Sequence, residues 1–221
     1  MDTLINILTC LEVIAFITSI FYWKKIKKTH WKWFSFYLLF IVISECIGWV
    51  LSEKNAQTAN IEFYNILVIP VEYIFFIWLF HITFKKTNLK WLPIACFGIY
   101  LSSWLIDIFT HSGAKPVFYS SSFTVGNLIL LVLVLGFFIQ LATSNAILTF
   151  RRNMLFWVSL GILLYYLGAF PYYGLRNVLA REFQEVYMTY TYIVYVLDCF
   201  MYVMFTISFI WGKPNISSSS S

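Results

Sequence analysis

The sequence predicts an all-α, polytopic integral membrane protein: a single bundle of seven transmembrane helices with its amino terminus outside and its carboxyl terminus in the cytoplasm. Three observations carry that expectation. Hydrophobic residues make up 61% of the 221 and charged residues only 11%, more apolar surface than a water-soluble core of this size can hide. Apolar runs of about 20 residues, enough to cross roughly 30 Å of hydrocarbon, recur at 3–23, 33–52, 63–84, 91–110, 124–144, 154–174 and 187–211. The basic residues of the loops segregate. With the amino terminus outside, the inner side holds Lys24, Lys25, Lys27, Lys28, Lys32, Lys85, Lys86, Lys90, Arg151, Arg152 and Lys213, against only Lys54, Lys115, Arg176 and Arg181 outside. That is the bias of cytoplasmic loops.

The first run follows an acidic Asp2 and precedes its basic cluster, the reverse of a cleavable signal, so it is expected to stay as helix one. The cluster KKIKK at 24–28 stops that helix and has the chemistry to meet anionic lipid or an acidic partner. Trp23, Trp31, Trp33 and Trp91 mark the inner headgroup level. Connections 24–32, 85–90 and 145–153 are short enough to make neighbouring helices antiparallel. Pro70 and Pro171, inside the third and sixth runs, free the carbonyls of Ile66 and Leu167 and predict kinks of the kind that border cavities. In the outer connection 175–186, Leu175, Val178, Leu179 and Phe183 are spaced like a short helix lying on the membrane and capping the bundle. Residues 1–213 thus form one transmembrane domain, followed by a disordered Ser-rich tail at 214–221. The four cysteines all fall within runs, without a CxxC spacing, and read as buried apolar filler.

Function turns on five acids placed inside these runs: Glu12, Glu45, Glu72, Asp107 and Asp198. An acid at the centre of a transmembrane helix costs about 2.5–3.5 kcal/mol on insertion scales, so it is normally turned inward and functional. No Lys or Arg lies in the same runs. At a rise of 1.5 Å per residue, Glu12, Glu45, Glu72 and Asp198 fall at similar depth, roughly 10–17 Å below the outer boundary, with Asp107 nearer the mouth. Helical spacing puts Thr191, Tyr195 and Tyr202 on the face of Asp198, Tyr100 and Ser103 on that of Asp107, and Asn65 two turns above Glu72. Tyr165, Tyr166, Tyr172 and Tyr173 surround Pro171, and the fifth run adds Asn127 and Gln140. The expected ligand- or cation-binding set is Glu12, Glu45, Glu72, Asp198, Asp107, Tyr195, Tyr202 and Asn65, lining a pocket that opens outward. The alternative is that the acids are protonated glue between helices.

No catalytic residue and no cofactor are expected, apart from a bound cation. The metal question stays open. His30, His81 and His111 sit at loops or helix ends, which disfavours zinc, and the oxygen ligands would suit calcium, magnesium, manganese or sodium. A retinal protein would need a lysine in 187–211, which has none; the intramembrane histidines of seven-helix zinc amidases are missing, as is the GxGD motif of intramembrane aspartyl proteases. The net charge of +5 is mostly the topological signal, so no nucleic-acid partner is expected.

The stretch FYNILVIPVEYIFFIWLF at 63–80, with the acid Glu45 in the preceding helix, resembles small seven-helix membrane proteins of bacteria that have no assigned reaction. That resemblance implies a bacterial cytoplasmic (inner) membrane and, for some members, work beside sensory kinases. The expected function is a non-enzymatic membrane sensor or ligand-binding protein that signals to a cytoplasmic partner and takes a cationic or amphipathic ligand, with a homo-oligomer left open. A proton or cation channel, a transporter or a membrane-disrupting effector is the second expectation, and an intramembrane hydrolase the third.

Overall fold

The computed structural model describes residues 2–111 and 118–214, apart from the side chains of Asp2 and His111. The expected Ser-rich tail and Lys115 lie outside the described residues, except for Pro214. Seven helices are long and apolar enough to cross a membrane, and the chain is an integral membrane protein. They are α1 (Asp2–Phe21), α2 (Lys32–Glu53), α3 (Gln57–Phe84), α4 (Leu92–His111), α5 (Ser120–Ala142), α6 (Met154–Glu182) and α7 (Gln184–Trp211). The other described elements are a single helical turn at Trp23–Ile26 and a 3₁₀ stretch at Asn145–Arg152.

Two helices differ from the sequence expectation. In α3 the turn ahead of Pro70 is a π-helix, Tyr64–Val68, between α-helical Gln57–Phe63 and Ile69–Phe84. A proline ring clashes with the carbonyl four residues earlier, and one extra-wide turn makes room for it. The widening also rotates everything before it, which decides where Tyr64 and Asn65 point. The second difference is at 175–186, where no separate surface helix forms. Instead α6 runs on to Glu182 and α7 begins at Gln184, leaving Phe183 as the whole connection. Hydropathy falls at Arg176, but Leu175, Leu179, Ala180, Arg181 and Glu182 are good helix formers with no breaker among them. The helix therefore continues, and its 29 residues span roughly 44 Å at the α-helical rise.

Neighbours in sequence pack as neighbours in space, with α6–α7 the most extensive pair, followed by α5–α6 and α1–α7. Lipid tails are as apolar as leucine, so helix association in a bilayer depends on close packing more than on hydrophobic burial. Gly161 serves this on α6: a Cβ there would stand 3.2 Å from the Met201 carbonyl oxygen of α7. Many large apolar side chains, such as Ile14, Ile43, Ile99, Val132 and Phe200, face outward as lipid-facing residues should.

Between α2, α3 and α7 the gap is filled by rings. Phe34 packs on Phe205 and Phe209 at 5.1 and 5.4 Å between centroids and on Phe75 at 5.8 Å, while Tyr37 stacks on Phe75 at 4.4 Å. At this end the termini are tied together. Lys25 Nζ donates to the Phe209 carbonyl at 2.7 Å, Trp157 meets Trp211 at 5.5 Å, and Asn153 caps α6 by accepting from Leu155 N at 2.9 Å. Cysteines are not uniformly buried filler: Cys96 is buried and Cys199 half-buried, but Cys10 and Cys46 face outward, where bilayer replaces protein as the apolar surrounding.

Candidate functional site

Glu12 on α1, Glu45 on α2, Glu72 on α3 and Asp198 on α7 turn inward to one region. Glu12 lies within electrostatic range of the other three, and Asp198 within range of Glu72 and Glu45. Glu12 is only 4% exposed. The other three are half-buried. Phenols supply donors to two of the glutamates. Tyr64 OH donates to Glu45 Oε1 at 2.7 Å, and Tyr166 OH donates to Glu72 Oε1 at 2.7 Å. Tyr64, in the π turn, makes the first contact by lying over Gly48 of α2, where a Cβ would stand 2.7 Å from the hydroxyl.

Glu12 Oε2 is buried and makes no hydrogen bond, and the buried Tyr37 hydroxyl faces Glu72, Asp198 and Glu12. Tyr202, also buried, lies within range of Glu12, Asp198 and Glu72. Half-buried Tyr195 lies within range of Glu45 and Asp198. Six of the eight expected site residues therefore form one constellation. Its chemistry is carboxyls and phenols, with no ammonium or guanidinium among them. Among the described residues the single salt bridge is the exposed Arg181–Glu182 pair, at 2.7 Å.

Asp107 and Asn65 belong elsewhere. Asp107 Oδ2 accepts from Ser122 N at 2.7 Å, Asn65 Oδ1 accepts from Tyr119 N at 3.3 Å, and the Asn65 carbonyl accepts from Trp104 Nε1 at 3.1 Å. Together they tie α3 and α4 to the start of α5. An acid beside a helix amino terminus satisfies an orphan N–H and complements the helix dipole. Asp107→Ala should lower stability in detergent by about 1–2 kcal/mol, with Asp107→Asn recovering most of it. Thermal unfolding of both variants checks this, and equal stability of Asp107→Ala and wild type would remove the capping role.

The structure adds two features that sequence reasoning missed. Arg176, counted with an outer loop, instead rides on α6 with its guanidinium 4.3 Å from the Phe118 ring and near Tyr173 and Tyr172 at 5.8 and 5.9 Å. Its cationic charge acts on Tyr195, at the edge of the acidic region. The second is Tyr73, fully buried, whose hydroxyl donates to Asn127 Oδ1 on α5. Gln140 lies well away, on a groove between α4 and α5. No three His, Cys, Asp or Glu side chains among the described residues come close enough to share one metal ion. His81 sits near the far end of α3 with its Nδ1 unpartnered, and the His111 side chain lies outside the described residues. The chain matches no family model, and neither a curated protein nor a solved structure is significantly similar to it.

Proposed function

We propose that this protein is a non-enzymatic membrane sensor or ligand-binding protein, amino terminus outside, whose acidic, tyrosine-rich pocket takes a cationic or amphipathic ligand carrying a protonated amine. One observation carries the reading: four carboxyls from four helices converge with phenols and without a single basic side chain among them. Carboxyls so placed need a proton or an external cation to balance any charge they carry. Glu45, Glu72 and Asp198 each keep part of their surface exposed, which is consistent with access for such a cation. No three of these groups can share a metal ion, which favours a larger cation that meets each carboxyl through its own hydrogen bond. Surrounding phenol rings suit an ammonium as well.

A route for signalling follows from the same contacts. Tyr64–Glu45 joins α3 to α2, and Tyr166–Glu72 joins α6 to α3. An amine that replaced those phenols as donor would loosen both ties and favour a second arrangement of the helices, read at the basic end by a cytoplasmic partner. A cation channel is the second reading, and the packed rings of Phe34, Tyr37, Phe75, Phe205 and Phe209 count against it, since they fill the interior between the acids and the basic end. The bacterial cytoplasmic membrane is the proposed location.

The test of binding is a thermal-shift series in detergent with alkylamines, polyamines and cationic lipids, on wild type and on the combined Glu12→Gln, Glu45→Gln, Glu72→Gln, Asp198→Asn variant. At least one amine should raise the melting temperature of wild type and leave the variant unchanged; no difference across the series, with both folded, ends the proposal. Orientation is tested separately. Cysteines introduced at Asn60 should be labelled by an impermeant reagent from outside, and those at Lys27 and Arg152 only from inside, following the loop charges. The opposite pattern would invert the topology.

A further inference from the structure

At the basic end of the bundle, a groove on the membrane-facing surface lies between α4, α5 and the connection that precedes α4. Its walls are Leu89, Leu92, Val132, Leu135 and Ile139, its rim is Thr87, Asn88, Gln140 and Thr143, and Gly136 lies in its lining. Gly136 leaves room in that lining: a Cβ there would already stand in ordinary contact with Leu89, Phe84 and Leu92, at 3.5, 3.7 and 3.9 Å, so a larger side chain would take up space between α5 and those residues. The groove belongs to the membrane-crossing part of the chain, between the first turns of α4 and the last of α5. In a bilayer, apolar walls at that position are covered by acyl chain.

What distinguishes this groove from the rest of the lipid-facing surface is its rim. The connection from α3 to α4 carries Lys85, Lys86 and Lys90, all exposed, and no Asp or Glu occurs between Glu72 and Asp107 in the chain. Nor does one occur along α5 or in the stretch that follows it, where Arg151 and Arg152 are exposed. The loop is held in shape by Thr87, whose hydroxyl donates to the Phe84 carbonyl at 3.0 Å and accepts from Leu89 N at 3.2 Å. Lys90 lies over the Trp91 ring, 5.8 Å from its centroid, at the level where indole marks the headgroup boundary. An apolar lining, with Thr87, Asn88, Gln140 and Thr143 within it and three exposed lysines flanking Thr87 and Asn88 in the chain, has the chemistry to meet an acyl chain and an anionic headgroup together.

We propose that this groove is a binding site for an anionic phospholipid, with one acyl chain lying against Gly136 and the headgroup phosphate met by Lys85, Lys86 and Lys90. Basic residues beside a crevice between transmembrane helices are a recurring way of holding such headgroups. The site is separate from the carboxyl constellation and does not depend on it.

The experiment is native mass spectrometry of the full chain, delipidated and then titrated with phosphatidylglycerol or with phosphatidylcholine of the same acyl length. Wild type should retain at least one phosphatidylglycerol with about tenfold preference over phosphatidylcholine. The Lys85→Gln, Lys86→Gln, Lys90→Gln variant should lose the preference, whereas Lys24→Gln, Lys27→Gln, Lys28→Gln, on the other basic loop, should keep it. Gly136→Phe, which puts a ring into the groove lining and leaves every charge in place, should lose most of the retained phosphatidylglycerol. Equal retention of the two lipids by wild type overturns the proposal. So does unchanged phosphatidylglycerol binding in folded Gly136→Phe, or loss of the preference only when the 24–28 cluster is neutralised.

Discussion

Replacing Gly126 by alanine should be among the most damaging small changes in the molecule, costing about 1–3 kcal/mol of stability in detergent, the usual range for overpacking a filled core. A Cβ at Gly126 would stand 2.6 Å from two carbons of the Tyr73 ring. That ring has nowhere to go. It is fully buried, packs on Tyr100, Phe123 and Tyr166 at 4.9, 5.5 and 5.7 Å between centroids, and is held at its tip by Asn127 and by the Phe123 carbonyl at 3.2 Å. Moving it would also push Tyr166, the donor to Glu72. Gly168→Ala is the control. Its Cβ would come even nearer a neighbour, 2.3 Å from Leu197 Cδ1, but that is the free end of a flexible side chain. A rotamer change should absorb it at well under the cost of the Gly126 variant. Thermal unfolding of the pair decides the matter, and a Gly168 variant as unstable as the Gly126 variant would show that ring immobility is not the cause.

The second large effect concerns ligand-dependent stability. Glutamine and asparagine keep the shape of the acids and can still accept the phenol hydrogen bonds of Tyr64 and Tyr166, but cannot balance a cation. If the carboxyls act only as neutral links between helices, the four-fold substitution should leave stability nearly unchanged, and no amine should tell the variant from wild type. If they form an anionic pocket, wild type should gain about 2.7 kcal/mol at an amine concentration a hundred times its dissociation constant, and the variant should gain nothing. Glu12→Gln alone should lose a large part of that gain, because Glu12 has the least exposed surface of the four and its Oε2 makes no internal hydrogen bond. Titrations followed by unfolding temperature give both numbers. Full retention of the gain in Glu12→Gln would place the amine with Glu45, Glu72 and Asp198 alone.

Sequence by itself determined the seven spans and singled out the acids, for physical reasons that act locally. A run of about 20 apolar residues is required by bilayer thickness wherever it occurs. A carboxyl inside such a run is costly in any context, so Glu12, Glu45, Glu72 and Asp198 could be marked before any packing was known. Similar depth on four helices followed from counting residues.

Rotation about each helix axis and pairing between helices were decided only in the tertiary structure. Regular α-helical spacing puts Asn65 and Glu72 on one face, but the π turn at Tyr64–Val68 breaks that spacing, and Asn65 meets the start of α5. Position inside an apolar run marks Asp107 as a fifth member of the site, and the close approach of Ser122 N, in the first turn of α5, makes it a helix cap instead. Hydropathy counts one charge as the end of a span and so puts Arg176 in a loop, whereas aromatic faces of Phe118, Tyr172 and Tyr173 let α6 carry it onward. Each of these outcomes depends on which side chain another helix presents, a property of the assembled bundle that no single segment contains.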